Sequence, residues 1–263
     1  MPNEPNHPLC DLHMHTRVSR CSDDDWTVDR ALARAREVGL DGIAITDHLM
    51  PWTDWQTLLD NNRRMVDLAA DDGFRVWSAV EAEVFNARGD LIITPQQAEQ
   101  LDYVMVAWGH VHIDHVENPT TGRIGDLFDF LHAVGLALCE NPLVKVIAHP
   151  WQTPSRWSEK HGFPRYTADD IPEHMLVELG QAAARTGTVL ELNLACLVKP
   201  DRQEASELFR KQQRLLRACQ PTGCQFSLGG DSHRANAMVR VPQFAPLLTA
   251  MDLALEELWL PQG

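Results

Sequence analysis

Residues 27–47 read TVDRALARAREVGLDGIAITD, and this unit sets the pattern that the rest of the chain repeats. Val28, Ala31, Leu32, Ala35 and Val38 recur at three- and four-residue intervals, which places them on one face of a 3.6-residue helix. Thr27 offers a side-chain oxygen to the first free amides, and Gly39 tolerates the left-handed conformation that ends a helix. The spacing therefore predicts a helix followed at once by an apolar strand, GIAIT, that runs into polar residues.

The same alternation returns in ALCENPLVKVIAHP (137–150), AAARTGTVLELN (182–193) and RACQPTGCQFSLGGDSH (217–233). Seven segments have strand character: residues 9–13, 42–46, 75–80, 103–107, 144–148, 189–193 and 225–229. Further helices are expected over 55–70, 126–137, 172–186 and 204–218, the last with Gln212 as a polar residue on its apolar face. Strands apolar on both faces need cover on both sides, so the class is α/β with a parallel sheet. Periodicity leaves an open doubly wound sheet and a closed barrel equally possible. Residues 110–125 and 151–171, rich in Pro, Gly, His and Trp, read as loops over a site. Trp108, Trp151 and Trp157 are placed either to shape its pocket or simply to pack, two readings the sequence leaves equal.

At 263 residues the chain fits one β/α barrel of about 250 residues, and no composition break divides it, so a single domain over 1–263 is expected. A formal charge of −14 with no basic run disfavours long nucleic acid, whose binding depends on clustered Lys and Arg. No segment approaches the roughly 20 apolar residues of a membrane span. The first residues carry no basic and apolar leader, and a cytoplasmic protein is expected. Cys10, Cys21, Cys139, Cys196, Cys219 and Cys224 form no CxxC pair, which predicts free thiols rather than a disulfide framework.

Each strand segment ends in chemistry. His13 and His15 follow the first, then Asp47 and His48, Glu81 and Glu83, His110 and His112, His149, Glu191 and Asn193, and finally Asp231 and His233. Parallel strands end on the same side, so these residues converge although the chain separates them widely. Imidazoles and carboxylates are the ligands of borderline divalent metals, and this set is large enough for two or three ions. Taken singly, each motif has a plain structural reading: HxH as hydrogen bonding, TDH as a helix cap, AHP and GGDSH as turns. Structural histidines have no reason to recur at one strand end after another. His7, His132, His161 and His174 lack strand-end placement, and His115 lies in a loop, so none of these five joins the set.

DLHMHT (11–16), ITDH (45–48), VEAEV (80–84), WGH (108–110), IAHP (147–150) and GGDSH (229–233), in this order, resemble the PHP (polymerase and histidinol phosphatase) superfamily of metal-dependent phosphoesterases. The resemblance implies a distorted (β/α)7 barrel of TIM-like type, with two or three Zn, Mn or Fe ions at its C-terminal mouth. It implies that His13, His15, Glu81 and Asp231 hold one ion, that Glu81 bridges to a second held by His110 and His149, and that His48 and His233 belong to a third. Some relatives have a further histidine for the third ion where this chain has Cys21. Either a thiolate substitutes, which would favour zinc over manganese, or the third position is weaker. His112 remains an alternative to His110.

Catalysis is expected to rest on Glu81, Asp231 and His233, with Asp47 orienting a ligand imidazole and a metal-activated hydroxide attacking phosphorus. Arg17, Arg20 and Arg234, each beside a ligand motif, are candidates for charge-assisted contacts to a phosphate. The implied activity is hydrolysis of a small phosphate monoester. A phosphodiesterase or exonuclease acting on nucleotides or short oligonucleotides, an amidohydrolase-like enzyme, and a binding module without turnover are the competing readings.

Overall fold

A computed structural model describes residues 7–70, 73–111, 113–119, 121–153, 165–195, 203–238 and 241–262. Its strands are β1 (Cys10–Asp11), β2 (Gly42–Ile45), β3 (His48–Leu49), β4 (Arg75–Glu83), β5 (Tyr103–Ala107), β6 (Val146–Ala148), β7 (Val189–Asn193) and β8 (Gln225–Gly229). They pair in parallel in the order β1-β2-β4-β5-β6-β7-β8, with β3 also on β4. Because β2 lies against Arg75–Ser78 and β3 against Glu81–Ala82, these two form a single stave broken at Thr46 and Asp47.

Backbone bonds then join the first stave to the last. Leu12 N donates to Leu228 O at 2.9 Å, Asp231 N to His13 O at 2.8 Å, and His15 N to Ser232 O at 3.0 Å. The sheet is thus a seven-staved barrel, which decides the alternative that periodicity left open.

The helices are α1 (Val28–Val38), α2 (Trp55–Ala69), α3 (Pro95–Ala98), α4 (Ile124–Glu140), α5 (Glu173–Thr186), α6 (Gln203–Cys219) and α7 (Val241–Met251). In α1 the Thr27 side chain accepts from Arg30 N, Gly39 adopts φ 85°, and all five periodic residues are buried. The sequence reading lacked α7, whose pattern is interrupted by Pro242 and Pro246, and it ended β4 at Val80, three residues short.

That extension positions the site. Side chains alternate along a strand, so Trp77, Ala79, Glu81 and Glu83 share one face of β4. The lower part of this face joins Cys10, Leu12, Ala44, Tyr103, Met105, Val146, Ala148 and Val189 in an apolar filling inside the barrel. Trp259 closes the N-terminal end, edge-on to Tyr103 at 5.7 Å, with its backbone N–H on Phe226 O. The upper part of the same face carries the carboxylates.

Two buried amides brace the staves from the helices. Where the second stave breaks, Asn62 of α2 donates to Ala79 O at 3.0 Å and accepts from Ala79 N at 3.2 Å, replacing the missing strand partner. Gln212 of α6, the polar residue on an apolar face, accepts from Asn193 N at the end of β7. An Asn62→Ala variant leaves a buried peptide without partners and is expected to lose about 1–3 kcal/mol of unfolding free energy. Urea titration checks this, and an unchanged midpoint would contradict the bracing role.

Candidate metal centre

Glu81 is fully buried at the centre of the barrel mouth. Its Oε1 lies 2.9 Å from His149 Nε2, and its Oε2 lies 2.8 Å from His48 Nδ1, 3.4 Å from His15 Nε2 and 3.6 Å from His13 Nε2. Asp231 Oδ1 completes the ring at 3.2 Å from His15 Nε2 and 3.6 Å from His13 Nε2.

The outward nitrogens are already committed. His13 Nδ1 meets Glu191 Oε1 at 2.6 Å, His110 Nδ1 meets Glu83 Oε1 at 2.7 Å, and His233 Nδ1 meets the Asp231 carbonyl at 3.0 Å. A ring nitrogen facing a carboxylate or carbonyl carries the proton, so each opposite Nε2 is left with a lone pair. His15 is held by a relay: its Nδ1 lies 3.3 Å from Ser19 Oγ, which donates to Asp47 Oδ1 at 2.8 Å. Asp47 also accepts from Thr16 and Asn61, so it sits one layer behind the imidazoles.

These groups fit divalent ions. His13 Nε2 and His15 Nε2 approach to 3.0 Å, close enough for both rings to serve one ion. Glu81 Oε2 and His48 Nδ1 are buried 2.8 Å apart without an aligned hydrogen bond, which is costly for polar groups. Three overlapping sets place their ligand atoms within 4.8 Å of one another: His13, His15 and Glu81; Glu81, His110 and His149; and His15, His48 and His233. The clusters are able to hold metal.

Charge follows the same arrangement. Burial works to raise the Glu81 carboxyl, but His48 and His13 hold it well below the usual carboxylate range. Burial and the neighbouring His48 and His233 push His15 well down, whereas at His13 the carboxylates of Glu191, Glu81 and Asp231 overcome burial and raise it. The Cys21 thiol is lowered to about 6, because hydrogen bonds to His233 and His48 outweigh its burial.

The backbone is bent to aim these groups. His149 adopts φ 31° and Asp231 φ 48°, a left-handed region costing non-glycine residues on the order of 1–3 kcal/mol. Glu191 offsets this at His149, whose backbone N–H donates to Oε2 at 2.5 Å. The two glycines of GGDSH are required by close approach. A β-carbon at Gly229 would overlap the Glu191 carboxylate and His13, and one at Gly230 would overlap the Asp11 carboxylate. Asp11 accepts from His13 N and Gly230 N. Burial pushes its carboxyl up to about 6, with those two amides opposing.

The sequence model of the PHP domain matches residues 11–149, more than half of the 263-residue chain. The chain belongs to the PHP domain family. This PHP chain is 27% identical over 233 residues to the probable phosphatase PMI1003 of Proteus mirabilis, covering 87% of this chain and 80% of the relative. It is 26% identical over 250 residues to a probable phosphatase of Acetivibrio thermocellus, covering 94% and 89% respectively. It shares the fold of the histidinol phosphate phosphatase of Lactococcus lactis, solved with zinc, L-histidinol and phosphate. That match has TM-score 0.63 and 15% identity, over 94% of this chain and 95% of that one.

All eight residues that the PHP resemblance names as ligands gather at one rim: His13, His15, His48, Glu81, His110, His149, Asp231 and His233. Arg17, Arg20 and Arg234 are exposed, with the Arg20 guanidinium 5.4 Å over the Trp52 ring. Trp108 and Trp151 do not line the mouth. They are 1% and 2% exposed and pack edge-on to each other at 5.0 Å, with Phe128 against Trp151. His112, Trp157 and His161 lie outside the described residues. His132 pairs with Glu178 between α4 and α5, away from the rim.

Glu83 and Glu191 were visible as strand-end carboxylates, but their hold on His110 and on His13 and His149 was not. An outer carboxylate of this kind typically controls metal affinity 10–100-fold. Glu191→Gln keeps the shape and removes the charge, so divalent-ion affinity is expected to fall by about that factor in a chelator competition. Unaltered affinity would show that Glu191 does not position the imidazole.

Proposed function

We propose that residues 1–263 form one metallohydrolase domain that hydrolyses small phosphate monoesters, with its ions shared at Glu81. His13, His15, Glu81 and Asp231 would hold one, and Glu81, His110 and His149 a second. The observation that carries this reading is the buried Glu81 carboxylate facing converging imidazole lone pairs.

Divalent ions in such a pair lower the pKa of water enough to supply hydroxide near neutral pH and neutralise phosphoryl oxygens. The chain then needs no nucleophile of its own. Its residues fix the geometry: Glu191 and Glu83 hold the His13 and His110 rings, and the Asp47–Ser19 relay holds His15. The side chains of Asp231 and His233 are partly exposed, at 26% and 23%, and would be within reach of a substrate from solvent. Arg17, Arg20 and Arg234 around the rim would add charge-assisted contacts to the phosphate.

Names of relatives support the substrate class, since the curated proteins are probable phosphatases and the Lactococcus structure holds L-histidinol and phosphate. A phosphorylated metabolite of that size is the substrate class we assign. The ions are Zn, Mn or Fe. Among the described residues no helix is long and apolar enough to cross a membrane. The free thiols Cys10, Cys21, Cys139, Cys219 and Cys224 among the described residues support a cytoplasmic setting.

With Mn²⁺ or Zn²⁺ added, p-nitrophenyl phosphate is expected to turn over well ahead of bis-p-nitrophenyl phosphate and p-nitroacetanilide. His149→Ala and Asp231→Ala are each expected to lower kcat/KM on the order of 100-fold or more. Faster diester or anilide cleavage would overturn the monoesterase reading, and full turnover by either variant would overturn the assigned site.

A further inference from the structure

One tryptophan stands open beside the metal centre, and it is none of the three that the sequence singled out. Trp52 is 50% exposed, whereas Trp108 and Trp151 are buried. Its turn is pinned to a ligand: Thr53 Oγ1 donates to the His48 carbonyl at 3.0 Å and accepts from Met50 N at 3.1 Å, while Thr53 N donates to Met50 O at 2.9 Å. Trp52 is therefore one residue away from the group that grips His48.

Two further loops bring side chains to it. Arg20 follows Ser19, whose hydroxyl lies 3.3 Å from His15 Nδ1, and places its guanidinium over the indole, 5.4 Å from the ring centroid. His115 meets the indole edge-on at 6.0 Å and Phe85 at 5.7 Å. Its loop is fixed by Ile113 N on His110 O at 3.0 Å and by Glu117 N on Phe85 O at 2.7 Å. The segments that carry Trp52 and His115 are thus the ones that carry His48 and His110, whose rings lie 5.8 Å apart. His115 Nε2 is buried without a hydrogen-bond partner, so this corner is incomplete without a further group.

We propose that Trp52, braced by Arg20 and His115, is a stacking shelf for the leaving alcohol of the substrate, and that this alcohol carries a planar aromatic ring. The inference rests on the monoesterase reading above and deepens it by naming what lies beyond the phosphate. With the phosphoryl group at the buried centre, the alcohol has to lie toward the rim, because the apolar filling around Trp77 and Ala79 closes the barrel below. An indole held in place at that rim offers a flat π-system its best contact, and an aromatic pair gains from stacking beyond the area it buries. A guanidinium packs on an aromatic ring by its flat face while its N–H donors spread in plane, so Arg20 braces the indole and still has donors for the phosphate.

Benzyl phosphate and cyclohexylmethyl phosphate are both esters of primary alcohols and differ in whether the ring is flat and aromatic. With Mn²⁺ added, the intact chain is expected to favour benzyl phosphate about 5-fold in kcat/KM, through KM rather than kcat, as binding shared by ground and transition states requires. Trp52→Leu keeps apolar bulk without a π-face and is expected to bring the ratio of the two esters close to one, whereas Trp52→Phe keeps most of the preference. The non-hydrolysable 2-phenylethylphosphonate and 2-cyclohexylethylphosphonate, titrated by calorimetry into the same Mn²⁺-loaded proteins, are expected to show the same ratio in Kd. A ratio near or below one in the intact chain, or a preference that Trp52→Leu leaves unchanged, would overturn the shelf and leave monoester hydrolysis standing. Phosphonate preference without turnover of either ester would overturn hydrolysis and leave the shelf standing. Neither binding nor turnover would overturn both.

Discussion

A carboxylate taken out of water loses solvation that only positive charge or strong donors can restore, and Glu81 is taken out completely. Among the described residues no Lys or Arg pairs with it. Its close neighbours are His13, His15, His48 and His149, so imidazoles alone stand where that charge must come from. The apolar filling below and the ring of carboxylates behind the imidazoles both make sense once a cation is allowed at the centre. Without one, the mouth of the barrel is an assembly of buried polar groups in mutual conflict.

The fold supplies that centre through two features of parallel staves. Strand alternation turns the face that buries Trp77 and Ala79 into the face that presents Glu81 and Glu83, so the bottom of the barrel is packed and the top is charged with no change of element. Staves that end at one rim also let short bends, at His149 and Asp231, aim side chains across the mouth. The strain of those bends is held by Glu191, which serves two strand ends at once by taking the His13 ring and the His149 amide. Gly229 is small enough to allow it.

Much of this was legible in the chain. α1 follows its apolar spacing and both caps, β5, β7 and β8 match the expected apolar runs, and the polar residues after each run are the ones that meet. Barrel closure was legible only through the PHP resemblance and not from periodicity, because it depends on backbone bonds between distant parts of the sequence, such as Leu12 to Leu228. β3 is two residues long, too short for any periodicity, and exists because β4 extends far enough to receive it. α7 was hidden by its prolines. The role of Glu191 escaped for a different reason: a strand-end carboxylate looks the same in sequence whether it touches an ion or orients the imidazole that does. Glu191 lies 178 residues from the ring it holds.

Anomalous diffraction from crystals grown with Mn²⁺ or Zn²⁺ tests the central claim most directly. The account predicts a peak within bonding distance of Glu81 on the His13, His15 and Asp231 side, and another on the His110 and His149 side. Crystals that bind the ion elsewhere, or bind none, while Glu81 keeps its imidazole neighbours would contradict it.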